Sequence, residues 1–111
     1  MPTLLRLPLL TLAMGVALVS GARGGDGPDS ADVQFQLATL LYDETRYGEA
    51  LEAFRRAAQA TNPEIAVAAR IGVVKSALRI GEFAEAQREA VSLRTLAPRN
   101  TEALTVYADA L

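Results

Sequence analysis

Tyr47-Gly48-Glu49-Ala50-Leu51-Glu52-Ala53-Phe54-Arg55-Arg56-Ala57 and Phe83-Ala84-Glu85-Ala86-Gln87-Arg88-Glu89-Ala90-Val91-Ser92-Leu93 share one pattern. In each, an aromatic residue is followed three positions on by Ala, then four and three positions later by Phe54 and Ala57 or by Ala90 and Leu93. Those offsets fall on one face of an α-helix, so each stretch carries the same buried stripe. The two stretches are the second helices of two look-alike hairpins, 31–60 and 63–97. The chain is therefore read as all-α and internally repeated.

Outward from these stretches, the other helices follow from their start and stop signals. A first helix is expected over 30–44, capped by Asp29 or Ser30, with Asp32 in the first turn meeting the positive end of the dipole. Leu37, Leu40 and Leu41 are expected on its inner face. Thr45-Arg46 is a connection short enough to force the next helix, 47–60, to run antiparallel. Asn62-Pro63-Glu64 opens a third helix that runs to Arg79: Asn caps, Pro sits where its missing N–H costs nothing, and Glu complements the dipole. Gly81 occupies the site where a left-handed residue ends a helix. The fourth helix is expected over 83–96, stopping ahead of Pro98, and a fifth over 102–111 after Asn100 or Thr101.

Composition sets limits on function. The 111 residues are 50% hydrophobic but only 5% aromatic, so Ala and Leu carry the core, which suits closely packed helices. No cysteine is present, which excludes disulfides, thiolate metal sites and a cysteine nucleophile. No histidine is present either, removing the commonest general base and metal ligand. An enzyme is not expected, nor any cofactor. With Lys+Arg at 11 and Asp+Glu at 13 the net charge is −2, and no basic cluster marks nucleic acid as a partner.

Residues 1–22 read as a secretory signal peptide, with Arg6 before an apolar run from 7 to 19. At about 13 residues that run is well short of the roughly 20 that span a bilayer, and it fits a signal core. Ser20-Gly21-Ala22 supplies the small residues of a cleavage site after Ala22. The expected address is periplasmic or extracellular, with membrane association only if the leader is retained. Residues 23–29 read as a flexible linker, rich in Gly. Its glycines match no phosphate-loop spacing, and Asp26, Asp29 and Asp32 lack the alternation and closing Glu of a calcium loop. Glu52 with Arg55 and Arg56, and Glu85 with Arg88 and Glu89, are read as helix decoration on outer faces, and Glu82, Glu85 and Glu89 form no metal or acid–base cluster because nothing apolar surrounds them to shift a pKa.

The repeat period is 36 residues from Tyr47 to Phe83 and 34 from Val73 to Tyr107. Helix–turn–helix content at this period resembles the tetratricopeptide repeat (TPR) family. The first unit offers Leu37-Ala38, Leu41, Tyr47, Ala50, Phe54, Ala57 and Asn62-Pro63. The second offers Val73-Val74, Ala77, Gly81, Phe83, Ala86, Ala90, Leu93 and Pro98. A partial third offers Leu104, Tyr107, Ala108 and Leu111. Ala90 and Arg70 depart from the pattern, standing where rings are usual, and related helical-hairpin repeats remain the alternative. The resemblance implies a TPR-like α-solenoid of stacked hairpins: two full repeats plus the first helix of a third. Ala50, Ala57 and Ala86 would permit close approach, while Tyr47, Leu51, Phe54 and Phe83 fill the gaps.

The resemblance also implies that the first helix of each pair lines a concave surface. The expected partner-binding residues there are Phe35, Thr39, Tyr42, Ile71, Lys75, Leu78 and Arg79, with Asp32, Asp43, Ala68, Glu102, Thr105 and Asp109 around them. Exposed Phe35, Tyr42 and Ile71 beside Lys75 and Arg79 suit an extended peptide. Members that clamp a terminal carboxylate use Lys and Asn at inner positions where Phe35 and Thr39 stand here. The expected function is a non-catalytic protein-binding scaffold of the cell envelope. The alternatives are the docking arm of an enzyme whose catalytic domain lies beyond Leu111, and a membrane-tethered assembly factor. The fifth helix has no following helix to cover it, so self-association through it, or a longer array, is expected.

Overall fold

A computed structural model describes residues 30–111; the expected signal peptide and linker lie outside the described residues. Among the described residues there are five helices: α1 Ala31–Asp43, α2 Tyr47–Ala57, α3 Pro63–Arg79, α4 Phe83–Leu96 and α5 Thr101–Ala110. Three starts are capped by side chains. Ser30 Oγ accepts from the Val33 N–H, Asn62 Oδ1 from Glu64 and Ile65, and Asn100 Oδ1 from Ala103. Each satisfies donors that a helix N-terminus leaves free. Arg46 gives α2 no such cap; instead it forms a two-point ion pair with Glu49 at 2.6 and 2.8 Å across the first turn.

Both hairpins turn by the same device. After α1, the Arg46 N–H reaches the Leu41 carbonyl and the Thr45 N–H the Tyr42 carbonyl. After α3, Glu82 reaches Ala77 and Gly81 reaches Leu78 in the same way. This nested pair of bonds needs a left-handed residue between them. Gly81 supplies it at φ 81°, as its composition foretells, but Thr45 supplies it at φ 63°, which a β-branched side chain resists. At its other end α2 stops at Ala57, short of the expected Ala60, because Gln59 and Ala60 donate to carbonyls three residues back and tighten the chain toward Asn62.

Each helix packs on the next in sequence, and α3 also lies against both α1 and α5. The core is built on alanine: Ala38, Ala50, Ala53, Ala57, Ala69, Ala77, Ala86 and Ala90 are all buried. Between α2 and α3, Gly72 sits directly under the Phe54 ring, where a Cβ would stand 2.4 Å from it. Phe54 in turn meets Phe35 edge-on, the ring centroids 5.8 Å apart.

The repeat register explains which faces are covered. Ala69, Val73 and Ser76 of α3, the face offset by four and three residues, are buried where α3 follows α2. Their counterparts in α5, Ala103, Tyr107 and Ala110, are covered or half-covered in the same way after α4. The α1 counterparts are Val33, Leu37 and Leu40, and all three are exposed, Leu40 at 56%. The expectation that Leu37 and Leu40 face inward is therefore corrected. Only Leu41 does, alongside Gln34 and Ala38, because that stripe faces α1's own hairpin partner while no described helix precedes α1.

Two further expectations are corrected. Phe83 is 58% exposed and fills no gap. Its counterpart Tyr47 leans edge-on against Tyr42 at 5.0 Å, whereas the second-hairpin counterpart of Tyr42 is Leu78, so Phe83 has no ring across from it among the described residues. Glu85 and Glu89 are not outer decoration either. Arg55 Nε donates to Glu85 at 2.9 Å, tying α2 to α4, and Arg70 Nη1 donates to Glu89 at 2.8 Å, tying α3 to α4. The hydrogen bond to Glu85 holds the Arg55 guanidinium above its ordinary pKa. Arg56 Nε likewise bonds Gln34 at 2.7 Å. Arginine thus ties helices together across gaps that the short alanine side chains leave.

Candidate functional site

The face formed by α1, α3 and the start of α5 holds a trough. Its larger-walled lobe, about 270 Å³, is lined by Phe35, Thr39, Tyr42, Asp43, Phe54, Ala68, Ile71, Gly72, Lys75 and Glu102. A second, more open lobe of about 340 Å³ is lined by Pro63, Glu64, Val67, Ala68, Ile71, Ala97, Asn100 and Glu102. Ala68, Ile71 and Glu102 belong to both, so the lobes adjoin across α3.

The trough exists because residues on α1 and α3 that are not needed against the second helices recur every third or fourth position. On α1 these are Phe35, Thr39 and Tyr42; on α3 they are Glu64, Val67, Ala68, Ile71 and Lys75, one continuous helical face. Small Ala68 and Gly72 leave the space that Phe35 and Phe54 border. Thr39 Oγ donates to the Phe35 carbonyl at 3.0 Å, so its hydroxyl proton is already engaged by the backbone of its own helix.

Of the residues expected to bind a partner, five line this trough: Phe35, Thr39, Tyr42, Ile71 and Lys75. Ile71, expected to be exposed, is only 4% exposed and forms the floor. Leu78 does not line the trough; it packs half-buried against the core. Arg79 stands beside it, donating from Nε to Tyr42 Oη at 3.2 Å and lying 5.3 Å from the Tyr47 ring centroid. The hydrogen bond to Tyr42, with the nearby Tyr47 phenol, holds the Arg79 guanidinium above its ordinary pKa. Phe54 and Gly72 are lining residues that sequence reasoning placed in the core or passed over. The second lobe was not anticipated, although Glu64, Val67, Ala68 and Ile71 share a helix face legible from their spacing.

Lys75 is the central charge of the trough. Its Nζ lies 5.4 Å from the Tyr42 ring centroid and 3.7 Å from Glu102 Oε2. An ammonium between an aromatic face and a carboxylate is held weakly at an exposed site, so the group is free to exchange partners.

No described helix is long and apolar enough to cross a membrane. Comparison with protein-family models, with curated proteins and with solved structures gives no match to this chain. The resemblance to TPR proteins accordingly rests on the residues quoted above.

Proposed function

We propose that this chain is a non-catalytic interaction module that takes an extended protein or peptide segment in the α1/α3/α5 trough, its hairpins stacked in the manner of TPR proteins. The observation that carries the reading is the trough: an apolar floor of Phe35, Phe54 and Ile71 rimmed by Thr39, Tyr42, Asp43, Lys75 and Glu102. Concave apolar surfaces with a few convergent polar groups are where proteins hold ligands, and an extended segment offers alternate side chains to such pockets. Panning a displayed peptide library on the purified chain tests it. A consensus enriched on the native chain and lost on Thr39→Arg, which fills the first lobe from an exposed position, supports the reading; no enrichment, or enrichment insensitive to Thr39→Arg, defeats it.

Export to the cell envelope is proposed from residues 1–22 alone. Fractionation with N-terminal sequencing checks it: a chain beginning at Arg23 outside the cytoplasm agrees, and a membrane fraction retaining Met1 points to the tethered alternative. Self-association is the second reading, favoured by the exposed Val33, Leu37 and Leu40 of α1 and by Leu104 of α5 with Leu111 just after it.

A further inference from the structure

We infer that the segment held in the trough is cationic, an extended stretch in which apolar side chains alternate with Lys or Arg. This deepens the proposed function and rests on the trough being the binding face. The first ground is the charge of the lining itself. Elsewhere pairing is mixed: Glu49, Glu52, Glu85 and Glu89 are held by arginines, Glu44 meets Arg46 only at 3.7 Å, and Asp32, Glu82 and Asp109 have no ion-pair partner among the described residues. Along the trough the lining carboxylates are Asp43, Glu64 and Glu102 against Lys75 alone. Asp43 and Glu64 have no ion-pair partner among the described residues, and Glu102 has only Lys75 at 3.7 Å. Arg79 stands outside the lining, engaged with Tyr42 and Tyr47. The lining therefore carries an excess of uncompensated negative charge beside an apolar floor, to which a positive, apolar segment is complementary.

The second ground is Lys75 itself. Its ammonium sits against the Tyr42 ring and near Glu102, so the chain displays in its own side chain the kind of group this place accepts. An incoming Lys or Arg would take over Glu102 and the ring face, while its apolar neighbours settle over Phe35, Ile71 and, in the second lobe, Val67 and Ala97. Lys75 is then a competitor to the ligand, not a contact for it.

Fluorescence polarisation of the purified full chain with three labelled heptapeptides tests this: leucine alternating with lysine, with serine and with glutamate, each flanked by glycine. The lysine peptide is expected to bind tightest, with affinity falling as salt is raised. Glu102→Gln and Glu64→Gln, both at exposed positions, should each weaken it by up to about fivefold, as one exposed ion pair allows, and leave the serine peptide unchanged. Lys75→Ala should strengthen the lysine peptide and not the others. Glu52→Gln, away from the trough, should change nothing. If the serine or glutamate peptide binds as well as the lysine peptide, or if Lys75→Ala weakens the lysine peptide, the cationic preference is overturned while the trough remains a peptide site. If no peptide binds, or if Thr39→Arg leaves binding unchanged, both readings fall together.

Discussion

Thr45 and Gly81 hold the same place in the two hairpin turns, with the same two backbone bonds closing over them, yet one is β-branched and the other has no side chain. A left-handed conformation costs a residue with a Cβ roughly 1–2 kcal/mol. Thr45→Gly is therefore expected to stabilise the fold by about 1 kcal/mol, since Gly relieves that strain and gives back part of the gain in chain entropy. The urea midpoint should rise with the slope unchanged. Gly72 is limited by space, not by conformation. Gly72→Ala places a methyl where the Phe54 ring already is, and overpacking of this kind costs about 1–3 kcal/mol. Thermal melts of Gly72→Ala, Phe54→Leu and the double variant form a cycle, and the double variant should be more stable than the two single losses summed.

At the scale of the helix, burial follows repeat position more closely than it follows residue type. Leu40 and Leu93 are the same residue on equally regular helices, but Leu40 faces the side of α1 that no described helix covers and Leu93 is fully buried between α4 and its neighbours. Leu93→Ala should cost about 2–5 kcal/mol and Leu40→Ala no more than about 0.5, read as denaturant midpoints. The start of α2 has its own pH dependence. Hydrogen bonding from Arg46 lowers the pKa of the Glu49 carboxyl from its ordinary value of 4.5. Folding thus favours the ionised form, and the pair adds stability above pH 4.5 that is lost as pH falls through the lower folded value. Glu49→Gln should lower the neutral-pH melting temperature slightly and flatten the acid-side fall, the variant and native chains converging below the folded pKa. Because both partners are exposed, the effect is small and strongest at low salt.

Among the described residues, α3 packs against α1, α2, α4 and α5, while Val33, Leu37 and Leu40 of α1 and Leu104 of α5 stay exposed. Light scattering of the purified chain should show association that grows with concentration. Leu104→Lys, on an exposed position of α5, should return it to monomer without lowering its melting temperature; a native chain that stays monomeric with little dye binding would defeat the self-association reading. The all-helical class and the Asn62 cap were legible in the sequence because periodicity and capping are local, and the structure chose Ser30 over Asp29 and Asn100 over Thr101 as the other two caps. Phe35, Thr39, Tyr42 and Lys75 were expected on one surface through the resemblance to TPR proteins, and all four line the trough. The second lobe escaped notice because it needs α5 to come back beside the first turn of α3, a placement no local signal specifies.

What the sequence determined by itself is therefore what depends on neighbours within a turn or two: helix identity, the Asn62 cap, the left-handed Gly81 and the alanine stripes of α2 and α4. The tertiary structure alone decided which leucines are covered, that Thr45 takes a left-handed turn, that Gly72 admits Phe54, and that Arg55 and Arg70 reach across to Glu85 and Glu89. The physical reason is that hydrogen bonds along a helix close within four residues, whereas burial and ion pairing between helices depend on which segments distant in sequence are stacked against each other.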